Sequence, residues 1–192
     1  MGITLTLVGT MLLMFSLLDT IEIDEANLGR DLSASDLKTG DLVLFSESLW
    51  SRGMCLSSVS HCVVVICNRR SEPWALEITP EQGRPALVPL RDYDCPLYVR
   101  PISRALPLPS VVEYVRLTRD DVYSHGYVRA ALGLSVDVTE QFCSSLVTGL
   151  YLFCGVLTSE CAKFLPRDLG ADRLPTSHGY SFGKMCLLRG HS

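Results

Sequence analysis

An α+β domain is predicted, with an antiparallel sheet of about five strands followed by helices. Between Leu42 and Ile102, short apolar runs rich in β-branched residues alternate with Pro, Gly, Asn and Asp. From Pro109 the apolar residues recur at mixed spacing, and over residues 138–157 at steps of three and four. Strands gathered in the first half and helices in the second indicate segregated α and β layers rather than βαβ units.

Each element follows from local chemistry. Thr39-Gly40-Asp41 reads as a turn and Leu42-Val43-Leu44-Phe45 as a strand. Residues 60–67 (SHCVVVIC) form the most β-branched run and end at Asn68-Arg69-Arg70-Ser71, a turn sequence. Residues 74–79, 86–90 and 97–102 supply three further strands, so consecutive strands make a five-stranded meander. Helices are expected from Pro109 onward, the most regular over residues 138–157. There Phe142, Leu146, Leu150 and Phe153 share one stripe, with Cys143, Val147 and Cys154 on the next. Pro166 and Pro175 divide the rest into short pieces.

The chain has 192 residues, enough for one core after a short leader. Seventeen Lys and Arg against 21 Asp and Glu leave a net charge of -4, which provides no field for a phosphate backbone, so nucleic acid is not an expected partner. Residues 1–18 (MGITLTLVGTMLLMFSLL) carry no charged side chain. As a helix they would span roughly 27 Å, close to a bilayer's hydrocarbon core. They are read as a single-pass membrane anchor, residues 19–38 as an acidic juxtamembrane linker with one short helix, and residues 39–192 as the folded domain. The basic residues nearest the anchor, Arg30 and Lys38, follow it and place the domain in the cytosol by the positive-inside rule. A signal peptide and an exported domain are the alternative, although no Lys or Arg precedes the apolar stretch.

The eight cysteines lie largely in apolar runs, as reduced buried thiols do. No Cys-x-x-Cys occurs, and His61, His125, His178 and His191 are not spaced as metal ligands beside thiols, so neither metal nor cofactor is expected. Cys143 is the exception among the thiols. A thiol is a nucleophile at neutral pH only when its thiolate is favoured, and an imidazole and a helix N-terminus are two ways to favour it. With Thr139 as N-cap, in preference to Asp137, Cys143 would fall near the start of its helix. His61 lies within an apolar strand, where a polar ring needs a partner. A hairpin centred on Arg69 would pair 67 with 71 and 61 with 77, setting Glu77 directly opposite His61. The carboxylate would then orient the ring toward the thiol. Thr79 and Glu81 are the other candidates to face it.

At these residues the chain resembles the circularly permuted papain-like cysteine hydrolases of the NlpC-type superfamily, particularly the YiiX-like and poxvirus-type branch. Four blocks carry the likeness over about residues 40–157: Gly40-Asp41-Leu42-Val43-Leu44-Phe45, Ser60-His61 with its apolar run, Leu76-Glu77 leading through Gly83 to Val88-Pro89-Leu90, and Phe142-Cys143-Ser144-Ser145-Leu146-Val147. The resemblance implies a permuted papain-like fold, with Cys143 as nucleophile, His61 as base and Glu77 as the orienting residue. It also implies cleavage or transfer of acyl groups at amide or ester bonds of peptides or lipids, through a thioester. The chain departs from the pattern at Val63, where the family usually has glycine, at Ser145, where an acidic residue is frequent, and before the helix, where Tyr123-Ser124-His125-Gly126-Tyr127 replaces a Gly-x-Pro-Tyr turn.

The backbone N–H of Cys143 is the expected oxyanion donor. Gln141 invites the same role but, two residues before the cysteine in a helix, is expected to point elsewhere. His125 and Tyr127 are candidates for a substrate cleft, and the remaining cysteines, Cys62 among them, are read as structural. The expected activity is therefore a peptidase or amidase reaction. A lipid acyltransferase of the same fold and a catalytically inactive, membrane-tethered interaction module are the rival readings, and substrate and oligomeric state are left open.

Overall fold

The computed structural model describes residues 23, 27–45, 59–124, 141–158, 166–170, 174–177 and 179–190. The anchor expected at 1–18, the cap expected at Thr139 or Asp137, and His125 and Tyr127 lie outside them. Among the described residues no helix is long and apolar enough to cross a membrane.

The described strands are β1 (Leu32–Ser33), β2 (Leu42–Phe45), β3 (His61–Cys67), β4 (Pro73–Glu77), β5 (Ala86–Pro89), β6 (Tyr98–Arg100) and β7 (Cys186–Arg189), and the helices are α1 (Leu108–Thr118), α2 (Cys143–Phe153) and the short α3 (Pro166–Gly170). The α+β expectation holds, but the five-stranded meander does not. One seven-stranded sheet runs in the order β1-β7-β6-β2-β3-β4-β5, with β1 and β7 parallel and the other pairs antiparallel.

β6 leaves β5 and crosses back to pair with β2. Buried Asp41, just before β2, holds this crossing: its carboxylate accepts the N–H of Ile102 beyond β6 at 2.9 Å and that of Lys38 at 2.9 Å. Burial pushes the Asp41 pKa up against the pull of those two donors. Residues 27–38 are not merely a linker. Leu32 pairs with Leu188, and Leu32 and Leu37 are buried in the domain core.

β2 and β3 read as continuous apolar runs because both faces of the sheet are covered. Leu42, Leu44, Cys62, Val64, Ile66 and Leu76 pack beneath α1 and α2. On the other face, Val43, Phe45, Val63, Val65 and Ala75 pack against Leu90, Leu97 and the β1–β7 edge. α1 tolerates Pro109 because it lies in the first turn, where a missing N–H breaks no helical bond. α2 ends where Gly155 takes φ +68°, with Val156 N–H bonded back to the Tyr151 carbonyl at 2.7 Å, a left-handed cap that glycine adopts without strain.

The two long helices meet at Gly149, whose missing side chain makes room for the Tyr114 hydroxyl, which donates to the Leu146 carbonyl at 3.0 Å. A Cβ at Gly149 would collide with that oxygen. Gly149→Ala is therefore expected to cost about 1–3 kcal/mol in urea unfolding. Adding Tyr114→Phe should recover part of the loss; equal, additive costs would show that the two residues do not meet.

Candidate active site

The site lies at one end of β3, where the strand begins and the N-terminus of α2 arrives. His61 is the first residue of β3 and is 5% exposed; Glu77 is the last of β4 and also 5% exposed. Their side chains meet, Nε2 of His61 lying 3.3 Å from Oε2 of Glu77.

The register that brings them together differs from the expected one. Cys67 pairs with Pro73 and Val64 with Leu76, a shift of two residues. The reason is the turn: Asn68 Oδ1 accepts the N–H groups of Arg70 at 2.8 Å and Glu72 at 3.0 Å, Asn68 N–H bonds to the Glu72 carbonyl, and Ser71 takes φ 61°. The loop thus occupies Asn68–Glu72 rather than centring on Arg69. A shift of two keeps the parity of a strand, so His61 and Glu77 stay on one face as diagonal neighbours instead of standing directly opposite. Thr79 and Glu81 do not take the place of Glu77. Thr79 is turned into a tight loop, its hydroxyl accepting the Gln82 N–H at 3.2 Å, and Glu81 is exposed.

Cys143 comes from the opposite layer. α2 begins at Cys143 itself, with Phe142 in extended conformation (φ -145°, ψ 170°) as N-cap, so Thr139 is not the cap of this helix. The cause is a bridge between Tyr123 and Gln141, reinforced by Ser124 N–H bonded to the Gln141 carbonyl at 2.8 Å, which holds residue 141 extended. Phe142 has no capping oxygen. Ser145 supplies the compensating bond, its Oγ accepting the Phe142 N–H at 2.8 Å. The later start strengthens the electrostatic argument, because Cys143 now occupies the first helical position, where the field of the unpaired N–H groups is greatest.

The Cys62 thiol, the Cys62 backbone N–H and the His61 ring all act on the half-buried Cys143 thiol. Ladder pairing between β3 and β4 stops at Val64–Leu76, so the Cys62 N–H falls beyond its last pair. The Cys62 thiol bond is the largest influence on the Cys143 thiol. With the charge and hydrogen bond of His61, it outweighs burial and holds the pKa well below the ordinary thiol range. Burial instead pushes the thiols of Cys67, Cys154 and Cys186 up. None of the six described cysteines (62, 67, 95, 143, 154 and 186) forms a disulfide; Cys55 and Cys161 lie outside the described residues.

Glu77 is the anchor of the constellation. Its Oε1 accepts Gln82 Nε2 at 2.5 Å and its Oε2 accepts the Tyr93 hydroxyl at 2.7 Å. Burial alone would raise its pKa, but the bonds from His61, Tyr93 and Gln82 together bring it below the usual carboxylate value. Nε2 of His61 is turned toward Glu77, and the same ring acts on the Cys143 thiol. The arrangement can hold a thiolate beside an imidazolium, and the Cys143 N–H, free of helical bonding, can serve an oxyanion.

Sequence reasoning missed Cys62, Gln82 and Tyr93. Cys62 carried one signal, its position directly after the histidine, whereas Gln82 and Tyr93 lie in loop sequence with nothing to mark them. Gln141 is not in the helix, and its Oε1 accepts the Ser145 hydroxyl at 3.1 Å. Among the described residues no three His, Cys, Asp or Glu side chains converge as metal ligands. Comparison of the chain with protein-family models gave no match, and comparison with curated proteins gave none either.

Proposed function

We propose that this chain is a membrane-anchored cysteine hydrolase of permuted papain-like fold, acting on an amide or ester bond. The observation that carries the reading is the meeting, at one strand end, of a thiol with a depressed pKa at a helix N-terminus, an imidazole, and a carboxylate that faces the imidazole. In this reading the Cys143 thiolate attacks the substrate carbonyl and the Cys143 N–H stabilises the oxyanion. Imidazolium His61 protonates the leaving group, and the neutral ring then takes a proton from the water that opens the thioester. Glu77 keeps the ring oriented throughout.

The reading extends to residues 1–18 as the anchor that holds this site beside a bilayer. That apolar segment also favours a second reading, in which a lipid hydroxyl or amine replaces water as acceptor and the enzyme is an acyltransferase.

Incubation of the full chain in detergent with p-nitrophenyl acetate, followed by peptide mass spectrometry, tests the core of the proposal. An acetyl adduct on Cys143 is expected, formed at least a hundredfold more slowly in His61→Ala. Adducts spread evenly over the cysteines, or undiminished in His61→Ala, would leave an inactive interaction module as the better account.

A further inference from the structure

The carboxylate that faces His61 is itself gripped by residues that take no part in bond making. Tyr93 follows a single 3-10 turn (Leu90–Asp92) whose Leu90 is buried under the sheet. From there its hydroxyl donates at 2.7 Å to Oε2 of Glu77, the same oxygen that lies 3.3 Å from Nε2 of His61. Its ring stands edge-on to Phe45, with centroids 5.1 Å apart. Phe45 is directly across the β2–β3 ladder from His61, the two rings 5.0 Å apart and tilted by 55°. His61, Glu77, Tyr93 and Phe45 therefore close a circuit in which each side chain touches two others. Gln82 secures the second carboxylate oxygen, and its own amide is oriented because Oε1 accepts the Thr79 N–H at 3.2 Å.

We propose that Tyr93 is a positioning residue of this site, sharing Oε2 of Glu77 with His61 and so setting the pH range over which the thiolate-imidazolium pair exists. The proposal rests on the thiolate-imidazolium reading of the site. A hydroxyl that donates to Oε2 keeps Glu77 ionised and takes up part of the acceptor capacity that would otherwise go to the ring. Removing it without removing the aromatic ring gives Oε2 wholly to His61. Glu77 then protonates at higher pH, and the better-partnered imidazolium survives to higher pH. Both limbs of the Cys143 reactivity profile move the same way.

The test is the pH dependence of iodoacetamide alkylation of Cys143 in the full chain, compared with Tyr93→Phe. The part of the acid limb that follows Glu77 protonation is expected to rise by about one pH unit, the size of effect a charge-assisted hydrogen bond produces. Replacement of Tyr93 by a fluorinated tyrosine, a stronger donor, should move the same limb down, which keeps the test available if the phenylalanine variant folds poorly. A profile unchanged in both variants, with the low-pH reactivity of the unaltered protein intact, overturns the role of Tyr93 alone. Absence of low-pH reactivity in the unaltered protein, or its persistence in His61→Ala, overturns the thiolate-imidazolium reading and this proposal with it.

Discussion

Iodoacetamide is expected to alkylate Cys143 at a rate that holds a plateau below neutral pH, while ordinary cysteines slow tenfold for each unit of acidification. A free thiol with a pKa of about 8.5 is only about 0.03% thiolate at pH 5. Cys62 and the His61 charge lower the pKa of the Cys143 thiol, and the first position of α2 favours the thiolate further. Its advantage is partly offset, because a thiolate of lower pKa is a weaker nucleophile. The net expectation at pH 5 is about tenfold or more over the next cysteine. In His61→Ala the plateau should vanish and the rate should become proportional to hydroxide concentration. A plateau that persists in that variant would assign the thiolate to Cys62 and the helix field, with the imidazole a bystander. The same shift contributes to stability. Because the thiol pKa is lowered on folding, this contribution is full above the unfolded thiol value and is lost as pH falls through the folded one.

The sequence announced this site more clearly than the sheet around it. His61 was visible as a polar ring inside an apolar run, and Cys143 as a thiol near a helix start. Both signals are local. Glu77 was found through a register that was wrong by two residues, and it survived because strand parity repeats every two. The true loop depends on Asn68 bonding across to Glu72, a choice that composition does not reveal. β1, with two residues, and β7, with four, carry too little pattern to be seen as strands, and their partners are far apart in the chain. The return of β6 to β2 depends likewise on one buried carboxylate, that of Asp41, meeting Ile102. Local periodicity predicts which residues are buried; it does not say which strands become neighbours.

Glu77→Gln should reduce turnover, or the plateau alkylation rate of Cys143, by about ten- to a hundredfold while the protein remains folded. The substitution keeps the shape of a side chain that three groups contact: Gln82, Tyr93 and His61. What it removes is the charge. A hydrogen bond to an ionised group contributes about 1.5–3 kcal/mol, against about half that for a neutral pair, and the difference falls on the imidazolium. An amide also has only one acceptor oxygen, so one of the three donors must face an NH₂ group. Glu77→Leu is expected to be worse in a different way. The Tyr93 hydroxyl and Gln82 amide would lose their acceptor at a half-buried site, lowering stability by about 1–3 kcal/mol for each donor that water cannot reach. Thermal unfolding separates the cases: the glutamine variant should lose rate with little change in melting temperature, and the leucine variant should lose both. The unaltered protein should show the acid limb that links them. Glu77 has a lowered pKa in the fold, so its contribution is complete above the ordinary carboxylate pKa and fades as pH drops through the lower, folded value. In Glu77→Gln no carboxylate remains to titrate, so the acid side of the profile should follow protonation of the Cys143 thiolate alone. Full activity with an unchanged acid limb in Glu77→Gln would remove Glu77 from the site and leave Cys143 and His61 to act as a pair.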